Sequence, residues 1–206
     1  LNNTTGTPND AFGYQALYNN TTGASNVAVG YQSLYQNTTG SGNVAMGDGS
    51  SGSAAGGGTS YSNTVAIGNI ALQKNTASNN TAVGSNALAN NTSGTPNDAF
   101  GYQALLNNTT GTNNVAIGYS SLTTNSVGNS NTAVGYAALN QATNNYNTAI
   151  GSGAFQGLTT GVNNIAIGYQ AGYATTASTT GTGNVIIGYQ AHTSTAVSYT
   201  HLTLPT

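Results

Sequence analysis

One six-residue unit recurs along the whole chain and restricts what it can fold into. The unit reads NVAIGY at residues 114–119, NVAVGY at 26–31 and NTAVGY at 131–136. Its glycine, here called the marker glycine, occurs eleven times at intervals of 16 to 21 residues. The marker glycines are Gly13, Gly30, Gly47, Gly68, Gly84, Gly101, Gly118, Gly135, Gly151, Gly168 and Gly188. Such a short, regular period is typical of stacked coils and not of a globular domain.

Two apolar positions recur in each coil and predict its strands. The first directly precedes the marker glycine, as at Ile117, and the second lies four residues after it. The second position holds Leu17, Leu34, Leu72, Leu88, Leu105, Leu122, Leu139 and Phe155. We therefore predict an all-β fold: a β-solenoid, or parallel β-roll, of about eleven coils. Each coil would have two short strands joined by a bend at the marker glycine, where a missing Cβ permits unusual dihedral angles.

Alanine precedes the large apolar residue in ten coils, and Ile186 takes that place in the last. Neighbouring residues of a strand point to opposite faces. We expect the large residue to point into the coil and the alanine to point outwards, where a small side chain lets another backbone approach. The candidate oligomer-interface residues are Ala28, Ala45, Ala82, Ala116, Ala133, Ala149 and Ala166. A core this thin favours a parallel homo-oligomer, most simply a homotrimer.

Asparagine opens nearly every unit and predicts a ladder of side-chain amides. It occurs at Asn9, Asn26, Asn43, Asn80, Asn97, Asn114, Asn131, Asn147, Asn164 and Asn184. Stacked in register, these amides can bond along the axis. A second motif, Asn-Thr-Thr-Gly, occurs for example at residues 108–111. We assign it to the return turn, because Asn and Gly tolerate left-handed geometry.

The period defines the domain boundaries. Repeats cover residues 1–197, and they begin in the middle of a coil; residues 198–206 fit no coil, so we expect a non-native tail there. Gly/Ser-rich residues 48–62 and residues 175–183 lengthen two coils and are predicted to bulge as loops.

Composition excludes several classes of ligand. Only 2% of residues are charged, against about 25% in typical domains. With Lys74 as the sole basic residue and a net charge of −2, the chain has no basic patch for nucleic acid or an anionic membrane. It contains no cysteine, and no serine has a recognisable base for nucleophilic catalysis. We therefore predict no enzyme activity, no cofactor and no metal.

The pattern Asn-x-Ala-(Ile/Val)-Gly-x-x-(Ala/Ser) resembles the YadA-like head repeat of trimeric autotransporter adhesins, over residues 9–191. The resemblance implies a left-handed parallel β-roll, three chains around one axis, display on a bacterial surface, and binding to host matrix or cell-surface glycans. The 17-residue coil is longer than that family's usual one. Similar Tyr-Gln-Ala-Leu arrays occur in tail-fibre-like proteins of phages, so display on a virion is the alternative setting.

Four groups of residues are candidate sites. Tyrosine follows the marker glycine and predicts either a surface-binding stripe or a structural stack of rings. The stripe comprises Tyr14, Tyr31, Tyr102, Tyr119, Tyr136, Tyr169 and Tyr189. Threonine recurs eight residues after the marker glycine. A row of threonine hydroxyls permits an ice-binding β-solenoid as the alternative function, although turn formation explains the threonines more simply. Asp10 and Asp98 are interpreted as solvated turn acids rather than calcium ligands, and His192 and His201 have no partner at metal-ligand spacing.

Overall fold

The chain is a β-solenoid. The computed structural model describes residues 4–51, 60–173 and 180–191. Within these ranges the regular elements are eleven strands in a single parallel sheet, ordered along the sheet as they are along the chain. They are β1 (Asn9–Phe12), β2 (Asn26–Val29), β3 (Val44–Met46), β4 (Val65–Ile67), β5 (Asn80–Val83), β6 (Asn97–Phe100), β7 (Asn114–Ile117), β8 (Thr132–Val134), β9 (Thr148–Ile150), β10 (Ile165–Ile167) and β11 (Val185–Ile187). Over the same ranges, no helix is present that is long and apolar enough to cross a membrane.

The register of the sheet follows the sequence repeat. Ala99 of β6 pairs with Ala116 of β7, and Ala116 pairs with Ala133 of β8. Pairing also stays in register across the two lengthened coils, where Val44 meets Val65 and Ile165 meets Val185. The extra residues therefore do not change the register of the sheet. Most of the predicted loops, at 52–59 and 174–179, and the predicted tail lie outside the described residues.

Each described coil contains one strand, so the prediction of two strands per coil was wrong. After the marker glycine the chain curls, because non-glycine residues take left-handed dihedrals there: φ is +52° at both Ser120 and Leu122. This segment still bonds to both neighbouring coils. The Ser120 N–H donates to Tyr102 O at 2.9 Å, and the Leu122 N–H donates to Ala138 O at 3.0 Å. It is a hydrogen-bonded turn that repeats without becoming extended.

The predicted orientation of the strand residues was also wrong. Ala116 is fully buried inside the coil of a single chain, whereas Ile117 is 41% exposed. The physical reason is strand parity: Asn114 and Ala116 are two residues apart, so burial of the asparagine ladder places the alanines on the same inner face. The alanines proposed for an oligomer interface are all interior residues: Ala28, Ala45, Ala82, Ala116, Ala133, Ala149 and Ala166.

The second apolar column forms the core, as predicted. Leu105, Leu122 and Leu139 are fully buried and pack with the alanine column in one continuous cluster. Ser51 stands where this column would have a leucine, and the buried ring of Tyr61 joins the cluster in that coil. The Tyr61 hydroxyl donates to Ser51 O at 2.6 Å, which ties together the two ends of the insertion.

The marker glycine is required by both conformation and space. Gly118 has φ of +130°, and a Cβ added to it would lie 2.5 Å from Gly135 O of the next coil. The bend therefore occurs where neighbouring coils approach too closely for a side chain, as expected for this position.

Candidate functional site

The outer face of the sheet is the largest candidate site on the molecule. Its first column consists of the residues that precede the marker glycines: Phe12, Val29, Met46, Ile67, Val83, Phe100, Ile117, Val134, Ile150, Ile167 and Ile187. Its second column lies two residues earlier and comprises Asp10, Val27, Val44, Val65, Thr81, Asp98, Val115, Thr132, Thr148, Ile165 and Val185. We call the two columns together the outer apolar face. Both columns are partly or fully exposed in the single chain, and contiguous apolar patches of this kind mark interaction surfaces.

A ladder of buried asparagines supports this face from inside. Asn114 Nδ2 donates to Asn97 Oδ1 at 3.1 Å and to Gly128 O at 2.8 Å. Its Oδ1 accepts from the backbone N–H and from Nδ2 of Asn131, at 3.0 and 3.2 Å. The predicted amide ladder is therefore confirmed, and it fixes the strands at one spacing. Thr64 replaces asparagine in the fourth coil, where its N–H and hydroxyl both donate to Asn43 Oδ1.

A second amide ladder lies on the other side of the coil and was missed by sequence reasoning. It comprises Asn20, Asn37, Asn75, Asn91, Asn108 and Asn125, all buried. Asn108 Nδ2 donates to Asn91 Oδ1 at 2.7 Å and to Gly111 O at 3.1 Å. The Asn-Thr-Thr-Gly motif thus has a core asparagine, and not only a turn former. Its fixed position three residues after the core leucine was the signal that could have revealed this.

The tyrosine stripe is exposed and stacked at the same time. Tyr102, Tyr119 and Tyr136 form consecutive pairs, with ring centroids 5.1 and 5.4 Å apart and interplanar angles of 23° and 12°. The pairs Tyr14–Tyr31 and Tyr169–Tyr189 stack similarly. All seven rings remain exposed, but stacking covers ring faces along the runs. The structure therefore supports the interpretation as a structural stack, in which ring faces stay open beside the interruptions of the stripe and at its two ends, Tyr14 and Tyr189.

The threonine hydroxyls bond to neighbouring coils. Thr92 Oγ1 donates to Thr109 O at 2.8 Å, and Thr109 Oγ1 donates to Ser126 O at 2.9 Å. Thr76 and Thr143 donate in the same way to the next coil. These hydroxyl protons are used to close the return turn, which agrees with the simpler interpretation of this column.

The remaining candidate residues lie apart from one another. Asp10 and Asp98 are exposed on the second column of the outer apolar face, in strands β1 and β6. Among the residues that the structure describes, no group of three or more His, Asp or Glu side chains could hold a metal ion. His192 and His201 lie outside those residues.

Fold and surface together define the class of protein: a parallel β-solenoid built from one repeated coil, with an apolar outer sheet face. Comparison with protein-family models, with curated proteins and with solved structures gave no match.

Proposed function

We propose that this chain is a structural and adhesive segment of a fibrous surface protein, assembled as a parallel homotrimer. The single observation that carries the proposal is the outer apolar face, which extends over eleven strands. At about 4.8 Å per strand the face is roughly 50 Å long. The resemblance in sequence to adhesin head repeats and phage fibre arrays favours an extracellular setting, on a bacterial cell surface or a virion.

The apolar face offers a free energy of burial comparable to the cost of association. Full burial of a large aliphatic side chain is worth about 1.5–3 kcal/mol. Ile117 is 41% exposed, so covering the rest of it would contribute about 0.6–1.2 kcal/mol. Eleven such positions would give on the order of 7–13 kcal/mol per chain, against an association cost of about 4–15 kcal/mol. The valines and isoleucines of the second column add to the favourable side.

A further copy of the same chain is the partner that fits this face best. The face repeats at the spacing of the coils and carries only two charged side chains, Asp10 and Asp98. A parallel copy has the same repeat, so the large apolar residues of the first column can meet their counterparts coil by coil. Three such faces around one axis would cover one another completely, which is the arrangement that the family resemblance implies.

Sedimentation equilibrium tests this proposal. We expect the wild-type chain, of 20.4 kDa, to sediment at three times its own mass at about 10 μM. At this concentration, a complex with an association free energy stronger than ~8 kcal/mol is populated. The double variant Ile117→Asp/Ile150→Asp places charges on the outer apolar face and should sediment as a monomer. The control Thr110→Asp adds a charge at an exposed turn residue and should leave the mass unchanged. A monomeric wild-type chain would refute the proposal.

No observation favours the ice-binding alternative, because the threonine hydroxyls already donate to backbone carbonyls. We therefore do not propose it as a second function.

A further inference from the structure

The tyrosine stripe has one interruption that is a single coil wide. Tyr136 and Tyr169 belong to the coils on either side, and Ser152 takes the place of tyrosine between them. Neighbouring rings in the stripe stack with centroids 5.1 to 5.5 Å apart. Coils two steps apart are separated by about 10 Å. The space above Ser152 therefore matches the thickness of one six-membered ring, with a tyrosine ring on each side.

The adjacent column is interrupted in the same coil. Gln170 and Gln190 follow the tyrosines of their coils, and Gln190 Nε2 donates to Gln170 Oε1 at 2.9 Å. In the coil below Gln170 the corresponding residue is Gly153. Among the described residues, Gln170 Nε2 consequently has no equivalent acceptor beneath it. A Cβ added to Gly153 would lie 3.2 Å from Gln170 Cγ, 3.5 Å from Gln156 Oε1 and 3.7 Å from Tyr173 Cδ2, so the Gln170 side chain, the Gln156 amide and the Tyr173 ring border this position.

The gap therefore combines two aromatic walls with neutral hydrogen-bonding groups. Tyr136 and Tyr169 are 57% and 45% exposed, and within the described part of the chain each ring stacks only on the side away from Ser152, with Tyr119 and Tyr189. The Ser152 hydroxyl and the amides of Gln156 and Gln170 can donate and accept. All four charged residues of the chain, Asp10, Asp48, Lys74 and Asp98, precede residue 99 and lie in other coils.

We propose that this gap, here called the Ser152 slot, binds a neutral pyranose ring of a glycan between Tyr136 and Tyr169. Aromatic walls with a few polar groups are the usual composition of a small-molecule site. The C–H faces of a sugar ring suit the electron-rich faces of the tyrosines, and its hydroxyls suit the serine and amide groups. The proposal assigns a location and a class of ligand to the proposed adhesive role. Its biological meaning rests on that role, whereas the geometry of the slot does not.

The stripe's other interruption provides a matched control. Between Tyr31 and Tyr102 three successive coils carry Asp48, Asn69 and Ser85 in place of tyrosine. The flanking rings there are four coil steps apart, about 19 Å, which is too far for one sugar to contact both. Ser85→Tyr and Ser152→Tyr are thus the same substitution at equivalent positions, but only the second fills the slot.

Saturation-transfer difference NMR tests the proposal, with methyl β-D-glucopyranoside, methyl β-D-galactopyranoside and p-cresol as probes. We expect at least one hexoside to bind wild type with a millimolar Kd. Ser152→Tyr should weaken that binding by about tenfold or more, the loss of ~1.4 kcal/mol, whereas Ser85→Tyr should leave it unchanged.

Three results would overturn the proposal: no binding of either hexoside to wild type, equal binding to Ser152→Tyr, or binding of p-cresol alone. The last result would mean that the slot takes an aromatic side chain instead of a sugar. Sedimentation of the same samples tests trimer formation separately from sugar binding. A monomer that binds the hexoside would contradict the proposed trimer but would leave the Ser152 slot supported.

Discussion

Removal of one ladder asparagine should destabilise the solenoid far more than removal of an exposed one. Asn114 is 1% exposed and makes four side-chain hydrogen bonds to its neighbouring coils. In Asn114→Ala the Asn97 Oδ1 still accepts from the residue 114 N–H. The Gly128 carbonyl keeps the bond that it accepts from Asn125 Nδ2 at 3.0 Å, and Asn131 Nδ2 keeps its bond to Asn144 O. The Asn131 N–H, however, loses the partner that Asn114 Oδ1 provided.

The expected cost follows from that one group. A buried polar group that is left unpaired costs about 1–3 kcal/mol, so Asn114→Ala should lose about 1–3 kcal/mol of unfolding free energy. The side chain of Asn107 is exposed and accepts a bond from Asn90 Nδ2 at 3.2 Å, so Asn107→Ala should change the unfolding free energy by no more than ~0.5 kcal/mol. Urea unfolding followed by circular dichroism, at one fixed protein concentration, measures both. Equal stability of the two variants would refute the structural role of the ladder.

Three further substitutions test the packing and the outer face. Gly118→Ala should cost about 2–6 kcal/mol, because it combines a strained dihedral with a Cβ close to Gly135 O; an unchanged melting temperature would contradict the close approach at the bend. Leu122→Ala removes a fully buried side chain and should cost about 2–5 kcal/mol in the same urea assay; a loss below 1 kcal/mol would mean that the core is elsewhere. Asp98→Val removes a charge from the outer apolar face and should lower the dissociation constant of the oligomer in sedimentation experiments; an unchanged dissociation constant would place Asp98 outside the contact.

The sequence repeat predicted the stacking, the leucine core and the first amide ladder, because each depends only on equivalent residues recurring at coil spacing. The repeat also determines which face of each strand points into the coil. Asn114 and Ala116 are two residues apart in one strand and therefore lie on the same face. An asparagine that points inwards thus requires an inward alanine and an outward Ile117. Size alone favours the larger side chain in the interior, but the coil buries Ala116 together with Leu122 and leaves Ile117 41% exposed.

Two features were harder to infer from residue types. Leu122 adopts a left-handed φ of +52°, which non-glycine residues usually avoid, so the turn that replaces the second strand has no familiar sequence signal. The second amide ladder was hidden because asparagine before Thr-Thr-Gly is also a good turn residue. The sequence left a binding stripe and a structural stack of rings as alternatives, and the structure shows rings that are stacked and exposed at the same time.

The central claim is that the face carrying Ile117, and not the one carrying Ala116, meets sister chains. The chain has no native cysteine, so single-cysteine variants test this directly with a short bismaleimide cross-linker. Ile117→Cys should give covalent oligomers on a denaturing gel, and Ala116→Cys should stay monomeric and unreactive until the protein is unfolded. Cross-linking of Ala116→Cys in the folded protein, with none for Ile117→Cys, would contradict the account.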